Sequence, residues 1–148
     1  MTAMMEAIAA FPNLSDEFFS IASPENANYN CIAWAIGDDR RWWWPNLAPS
    51  AYWPPGFPKD ETVENFVRTF SLFGFIECQD GSLEDGFEKI VLYTKSGTPT
   101  HMARQRCDGH WWSKLGDWHD IVHETPKGIE GILYGLAHKF FKRPVPSS

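Results

Sequence analysis

From Phe87 onward the chain runs as short β-segments separated by turn signals, and that run decides most of what it can fold into. Phe87-Glu88-Lys89-Ile90-Val91-Leu92-Tyr93-Thr94 is a strong strand sequence, Gly97-Thr98-Pro99 a turn, and His101–Cys107 a second strand. Asp108-Gly109 is a residue pair favoured in tight hairpins, and it leads into a third strand, His110–Lys114. Asp120–His123 gives a fourth. A turn of helix over 126–132 and a closing strand, Leu133–Lys142, complete the run.

Upstream the pattern changes. Residues 3–10 suit a short helix, and Leu14-Ser15-Asp16-Glu17-Phe18-Phe19 a second helical turn with Ser15 as cap. Residues 22–30 form a polar loop leading to Cys31-Ile32-Ala33-Trp34-Ala35-Ile36, a short Ala-rich buried helix closed by Gly37. Val63, Phe66, Val67 and Phe70 recur at helical spacing in a segment that starts at Asp60 or Thr62 and ends at Phe73-Gly74. Phe75-Ile76-Glu77-Cys78 is a short strand. Helices first and antiparallel strands after predict an α+β domain, with the early helices on one face of a curved sheet of about five strands.

The 148 residues suit one domain, with residues 38–59 as an irregular insertion. Five prolines bar regular structure from most of that stretch. It holds Trp42-Trp43-Trp44-Pro45 and Tyr52-Trp53-Pro54-Pro55, and two expectations follow. Trp42, Trp43, Trp44 and Trp53 form a lid or groove wall over a pocket at Cys31, or they fill space over the sheet as a satellite core. A net charge of -6 argues against a nucleic-acid surface. The three cysteines, Cys31, Cys78 and Cys107, are too few and too scattered for a disulfide scaffold, which suits a reducing cytoplasm. No apolar run approaches the ~18 residues of a membrane span, and the first residues lack the basic start of a secretory signal.

Cys31 stands at the first turn of its helix, where unpaired backbone N–H groups and the helix dipole favour thiolate. His101 opens a strand some seventy residues later. A cysteine, histidine and polar-residue set is the apparatus of thiol-based acyl transfer.

These blocks, Asn30-Cys31-Ile32-Ala33-Trp34-Ala35, Thr100-His101-Met102-Ala103 and Asp108-Gly109-His110-Trp111-Trp112-Ser113-Lys114-Leu115-Gly116, resemble the compact papain-like hydrolases of the NlpC/P60 and CHAP type. With Tyr134-Gly135 they are also similar to a group of uncharacterised bacterial proteins. The resemblance spans residues 28–142 and implies a papain-like fold, Cys31 as nucleophile, His101 as base, and a third polar residue on the returning strand. A three-residue turn with Gly109 left-handed sets Cys107 against Trp111 and Gln105 against Ser113. Ser113 then shares the His101 face, and Asp117 lies opposite His101. A two-residue turn moves Lys114 to that face, but an ammonium cannot accept from imidazole. Asn30 or Tyr29 beside the Cys31 N–H would serve the oxyanion, and Trp34, Trp44 and Trp53 would line the substrate groove.

The expected activity is thiol hydrolysis of an amide bond in a peptide or peptidoglycan-type peptide, without metal or organic cofactor. The alternative is a non-catalytic binding module using the Trp-rich loop. Cys107, His110, His119 and His123 are spaced in a way that superficially suits zinc, but a tight turn and a strand place them poorly for it.

Overall fold

The computed structural model describes residues 2–23, 29–38, 40–46, 51–115 and 118–145. Seven strands form one sheet: β1 (Phe19–Ser23), β2 (Ile76–Cys78), β3 (Phe87–Lys95), β4 (Thr98–Gln105), β5 (Trp111–Lys114), β6 (Asp120–His123) and β7 (Leu136–Pro144). Their order across the sheet is β1-β6-β5-β4-β3-β7-β2, and every neighbouring pair is antiparallel. Among the described residues three short α-helices accompany them: α1 (Ala3–Ala10), α2 (Cys31–Ile36) and α3 (Val63–Ser71).

This is a mainly-β architecture, which overturns the expected α+β, papain-like arrangement of helices on a five-stranded sheet. Two features account for the difference. Phe19–Ser23, assigned to a helical turn and a loop, is an edge strand that pairs Phe19 with His123. The sheet is also covered on both faces rather than one. Ile90, Leu92, Met102 and Phe141 pack under α2 and α3. Val91, Tyr93, Ala103, Trp111 and Ile121 pack on the opposite side, against Ala7 of α1, Phe11, Leu14 and Ile129. A doubly covered strand has no wet face, which is why Ile90-Val91-Leu92-Tyr93 is apolar without alternation.

The helices start where their caps dictate. The Asn30 side chain accepts from the Ala33 N–H at 3.2 Å to open α2, and Gly37, at φ +93°, closes it in the left-handed region. Thr62 opens α3 by accepting from the Asn65 N–H at 3.2 Å. Phe66 and Phe70, one turn apart on α3, are fully buried.

The Trp-rich stretch is largely core. Trp43 is 2% and Trp53 4% exposed, and the Trp53 ring meets Phe66 at 5.2 Å between centroids. Burial of each such ring is worth about 2–3 kcal/mol before entropy is counted, enough to hold an irregular segment without a regular backbone ladder. Asn30 fixes the stretch to α2, since its Oδ1 also accepts from the Trp43 N–H at 2.9 Å and its Nδ2 donates to the Trp43 carbonyl. No described helix is long and apolar enough to cross a membrane.

Candidate functional site

β4 and β5 pair only at Arg104/Trp112 and Gln105/Trp111. That register is two residues from the expected one, so Cys107 does not face Trp111. A two-residue shift preserves the face, and Ser113 stays on the His101 side. Gly109 is left-handed at φ +90°, as the bulged turn requires. Beyond the paired segment the strands part, and α2 lies against both.

Cys31 heads α2 at this fork. The backbone N–H groups of Met102, Ile32 and Cys31 itself lie close enough to its sulfur to favour the thiolate. Burial nevertheless dominates. The residue is 7% exposed, and its thiol is pushed up to about 11, against the lowering effect of those N–H groups and the nearby Lys114 ammonium. At rest Cys31 is therefore a thiol, contrary to what a helix N-terminus alone predicts. A helix of six residues carries too weak a dipole to offset desolvation of the charge.

His101 belongs to the face that carries Tyr93, Ser113 and His123. It is fully buried, as are Ser113 and His123. His101 Nε2 lies 3.1 Å from Ser113 Oγ, Ser113 Oγ lies 2.8 Å from His123 Nε2, and His123 Nδ1 lies 2.8 Å from the Thr125 carbonyl. Burial lowers both imidazoles, His123 to about 4 and His101 well below its ordinary value with His123 adding to the shift, so both are neutral near pH 7.

The chain has only one consistent direction. A carbonyl only accepts, so His123 Nδ1 carries the proton and its Nε2 is the acceptor. Ser113 must donate its single hydroxyl proton to that nitrogen. Its oxygen then accepts from His101 Nε2–H, and His101 Nδ1 is left as a bare lone pair. Nδ1 is buried and makes no hydrogen bond. Cys31 and His101 are thus not hydrogen-bonded, although one of the N–H groups that favour the thiolate belongs to Met102, the residue after His101. Tyr134 touches both environments. Its ring stacks on His101 at 4.2 Å and 6°, and Cys31, after burial, helps to raise its phenol.

The other expected site residues have structural duties. The Asn30 amide caps α2 and holds Trp43, with its oxygen accepting twice and one of its two N–H hydrogens donated to the Trp43 carbonyl. Tyr29 packs on Trp34 at 5.9 Å, with the Lys114 ammonium 5.6 Å from its ring centre. Trp44 donates its indole N–H to Glu61, and Trp53 is core. Lys114 is buried and donates to the Trp118 carbonyl at 2.9 Å. Asp117 lies outside the described residues. Among the described residues no three His, Cys, Asp or Glu side chains are grouped to hold a metal ion.

Two participants were not singled out from the sequence. His123 appeared only as a member of the zinc-like spacing, and Tyr134 only as part of a closing strand. The signal for His123 was the β5–β6 hairpin, which pairs Trp111 with His123 and sets that imidazole diagonally across from Ser113.

Neither the curated proteins nor the solved structures include a match to this chain. One family model covers residues 20–142, a span that takes in Cys31, His101, Ser113, His123 and Tyr134. The chain therefore belongs to the family described as Domain of unknown function (DUF7689).

Proposed function

We propose that the domain is a thiol hydrolase that cleaves an amide bond in a peptide or peptidoglycan-type peptide, with Cys31 as nucleophile and His101 as base. The observation that carries this reading is the bare, buried Nδ1 of His101, set as an acceptor by the Ser113–His123–Thr125 chain. A buried acceptor left without a partner calls for an explanation, and a proton to be received is one.

A thiol near 11 and a weakly basic imidazole do not form a resting ion pair. Proton transfer therefore accompanies attack. As Sγ bonds to the amide carbon, its proton passes to His101 Nδ1, and the carbonyl becomes an oxyanion. The Cys31 and Met102 backbone N–H groups, which act on the sulfur, would be its donors. Collapse expels the amine, which takes the proton from Nδ1. A water, deprotonated by the same nitrogen, then hydrolyses the thioester and restores the thiol. Ser113 accepts from Nε2–H throughout and positions the ring. The step requires substrate entry to bring Sγ within ~3–4 Å of Nδ1. Three unpaired thiols fit a cytoplasmic setting.

The burial of Cys31 favours a second reading, a binding module in which the thiol is core. One set of measurements separates the two. Candidate peptides and cell-wall fragments are incubated with the wild type, Cys31→Ala and His101→Ala, and new amino termini are quantified. Hydrolysis by the wild type alone supports the enzyme. Equal product from Cys31→Ala, or none from any protein with binding retained, refutes it.

A further inference from the structure

On the α2 side of the sheet, at the paired end of β4 and β5, lies a groove of about 350 Å³ lined by Trp34, Arg104, Gln105, Arg106, Cys107 and Trp112. The volume falls in the range of small-ligand sites. Its chemistry is one-sided. Two guanidiniums and two indoles form most of the wall, and no carboxylate lines it. This is a cationic patch on a chain whose net charge is -6.

Arg104 is central. Its guanidinium sits 5.1 Å from the centre of the Trp34 ring and, among the described residues, forms no ion pair. Arg106 reaches Asp108 at 3.2 Å, with both side chains near half exposed, so that pair is loosely held. Trp34 and Trp112 meet edge to face at 5.0 Å. Both indole N–H groups are buried without an acceptor, so the walls hold two orphan donors beside an unpaired guanidinium. They are buried from solvent, and a small turn of either ring would offer its N–H to a bound oxygen. Buried donors without acceptors are rare in folded proteins, and two of them beside one groove call for an explanation.

We infer that this groove binds a small anion, a carboxylate or phosphate attached to a flat apolar group. Arg104 and Arg106 take the oxygens, and the Trp34 and Trp112 rings hold the flat part. The inference stands apart from Cys31 chemistry, because it concerns equilibrium binding and invokes neither the thiol nor His101. Whether the physiological anion is a carboxylate or a phosphate is read from the same titrations.

The test is an NMR titration of the full-length protein, following the indole N–H signals and assigning two of them with Trp34→Phe and Trp112→Phe. The probes are benzoate, phenyl phosphate, inorganic phosphate, and benzyl alcohol as the neutral control. Benzoate or phenyl phosphate should shift the Trp34 and Trp112 signals saturably. The aromatic anion that binds tighter names the headgroup. Benzyl alcohol and inorganic phosphate, each lacking one half of the ligand, should bind at least about tenfold more weakly. Arg104→Gln should weaken the aromatic anion by about tenfold, and Arg104→Lys by less, because charge remains while the fork is lost.

Cys107, an exposed thiol on the groove wall, supplies a second readout, since a bound probe should slow its alkylation. Equal binding of benzoate and benzyl alcohol would overturn the inference. So would a lack of saturation by either anion below about 10 mM, or unaltered affinity in a folded Arg104→Gln. The wild-type comparison decides the matter even if a variant fails to fold.

Discussion

Acid should unfold this protein through the Ser113-bridged histidines before it does so through the carboxylates. An unfolded histidine takes up a proton near pH 6.5, whereas folded His123 does so only at about 4. Between those values falling pH protonates the unfolded chain and not the native one, so stability drops. The contribution is intact above pH 6.5 and is lost as pH falls toward 4. For His123 alone, the two values imply a loss of about 2 kcal/mol on going from pH 7.5 to 5. His101, held low by burial and by His123, adds to the loss in the same direction.

Other groups leave that window fairly clear. Asp38, Asp80 and Glu84 are held low by hydrogen bonds and nearby cations, so their contribution is lost only below the usual carboxylate range. Glu17 is raised by burial and works oppositely, favouring the native state as acid protonates it. Urea unfolding followed by tryptophan fluorescence, from about pH 7.5 to 5, measures the loss. In His123→Gln the baseline stability changes, but the slope should fall by the His123 share. A wild-type stability constant to within about 0.5 kcal/mol across this range would refute the neutral relay, as would an undiminished slope in His123→Gln.

Ser113→Ala should destabilise the fold by about 2–5 kcal/mol, because it strips a partner from both His123 Nε2 and His101 Nε2–H inside the protein. The same urea experiment at pH 7.5 reads it, and a change below about 0.5 kcal/mol would show that the hydroxyl bridges nothing. Gly135→Ala should lower Tm by several degrees or more. A Cβ there would fall on the Thr94 carbonyl, and the residue's φ of +76° disfavours any side chain. An unchanged Tm would refute that close approach.

The local elements were legible where pattern and cap coincide. The amphipathic spacing of Val63, Phe66, Val67 and Phe70 marked α3, and the Gly37 stop marked the end of α2. β1 was not legible. Phe19 and Ile21 give too brief an alternation to declare a strand, and its partner β6 lies a hundred residues downstream. The fold class failed for a related reason. Nothing local says that α1 and α2 cover opposite faces of one sheet.

At the site, Ser113 was reachable from parity alone, which survived an error of two in the hairpin register. The state of Cys31 was not. Local sequence shows the helix N-terminus but not how thoroughly the thiol is desolvated, and desolvation is the larger effect.

The position of β7 bears on how the chain is made. β7 lies between β3 and β2 in the finished sheet. As the chain leaves a ribosome, β2 and β3 emerge first, and neither can pair with the other directly. β2 must wait for Leu136–Pro144 to pair at all, and β3, which pairs with β4 first, waits for it along its other edge, just as β1 must wait for β6. Until β7 arrives the nascent chain therefore carries unpaired strand edges and an unfinished core. The sheet is completed only when β7 enters between β3 and β2. Such an order leaves strand edges open to aggregation until the sheet is closed.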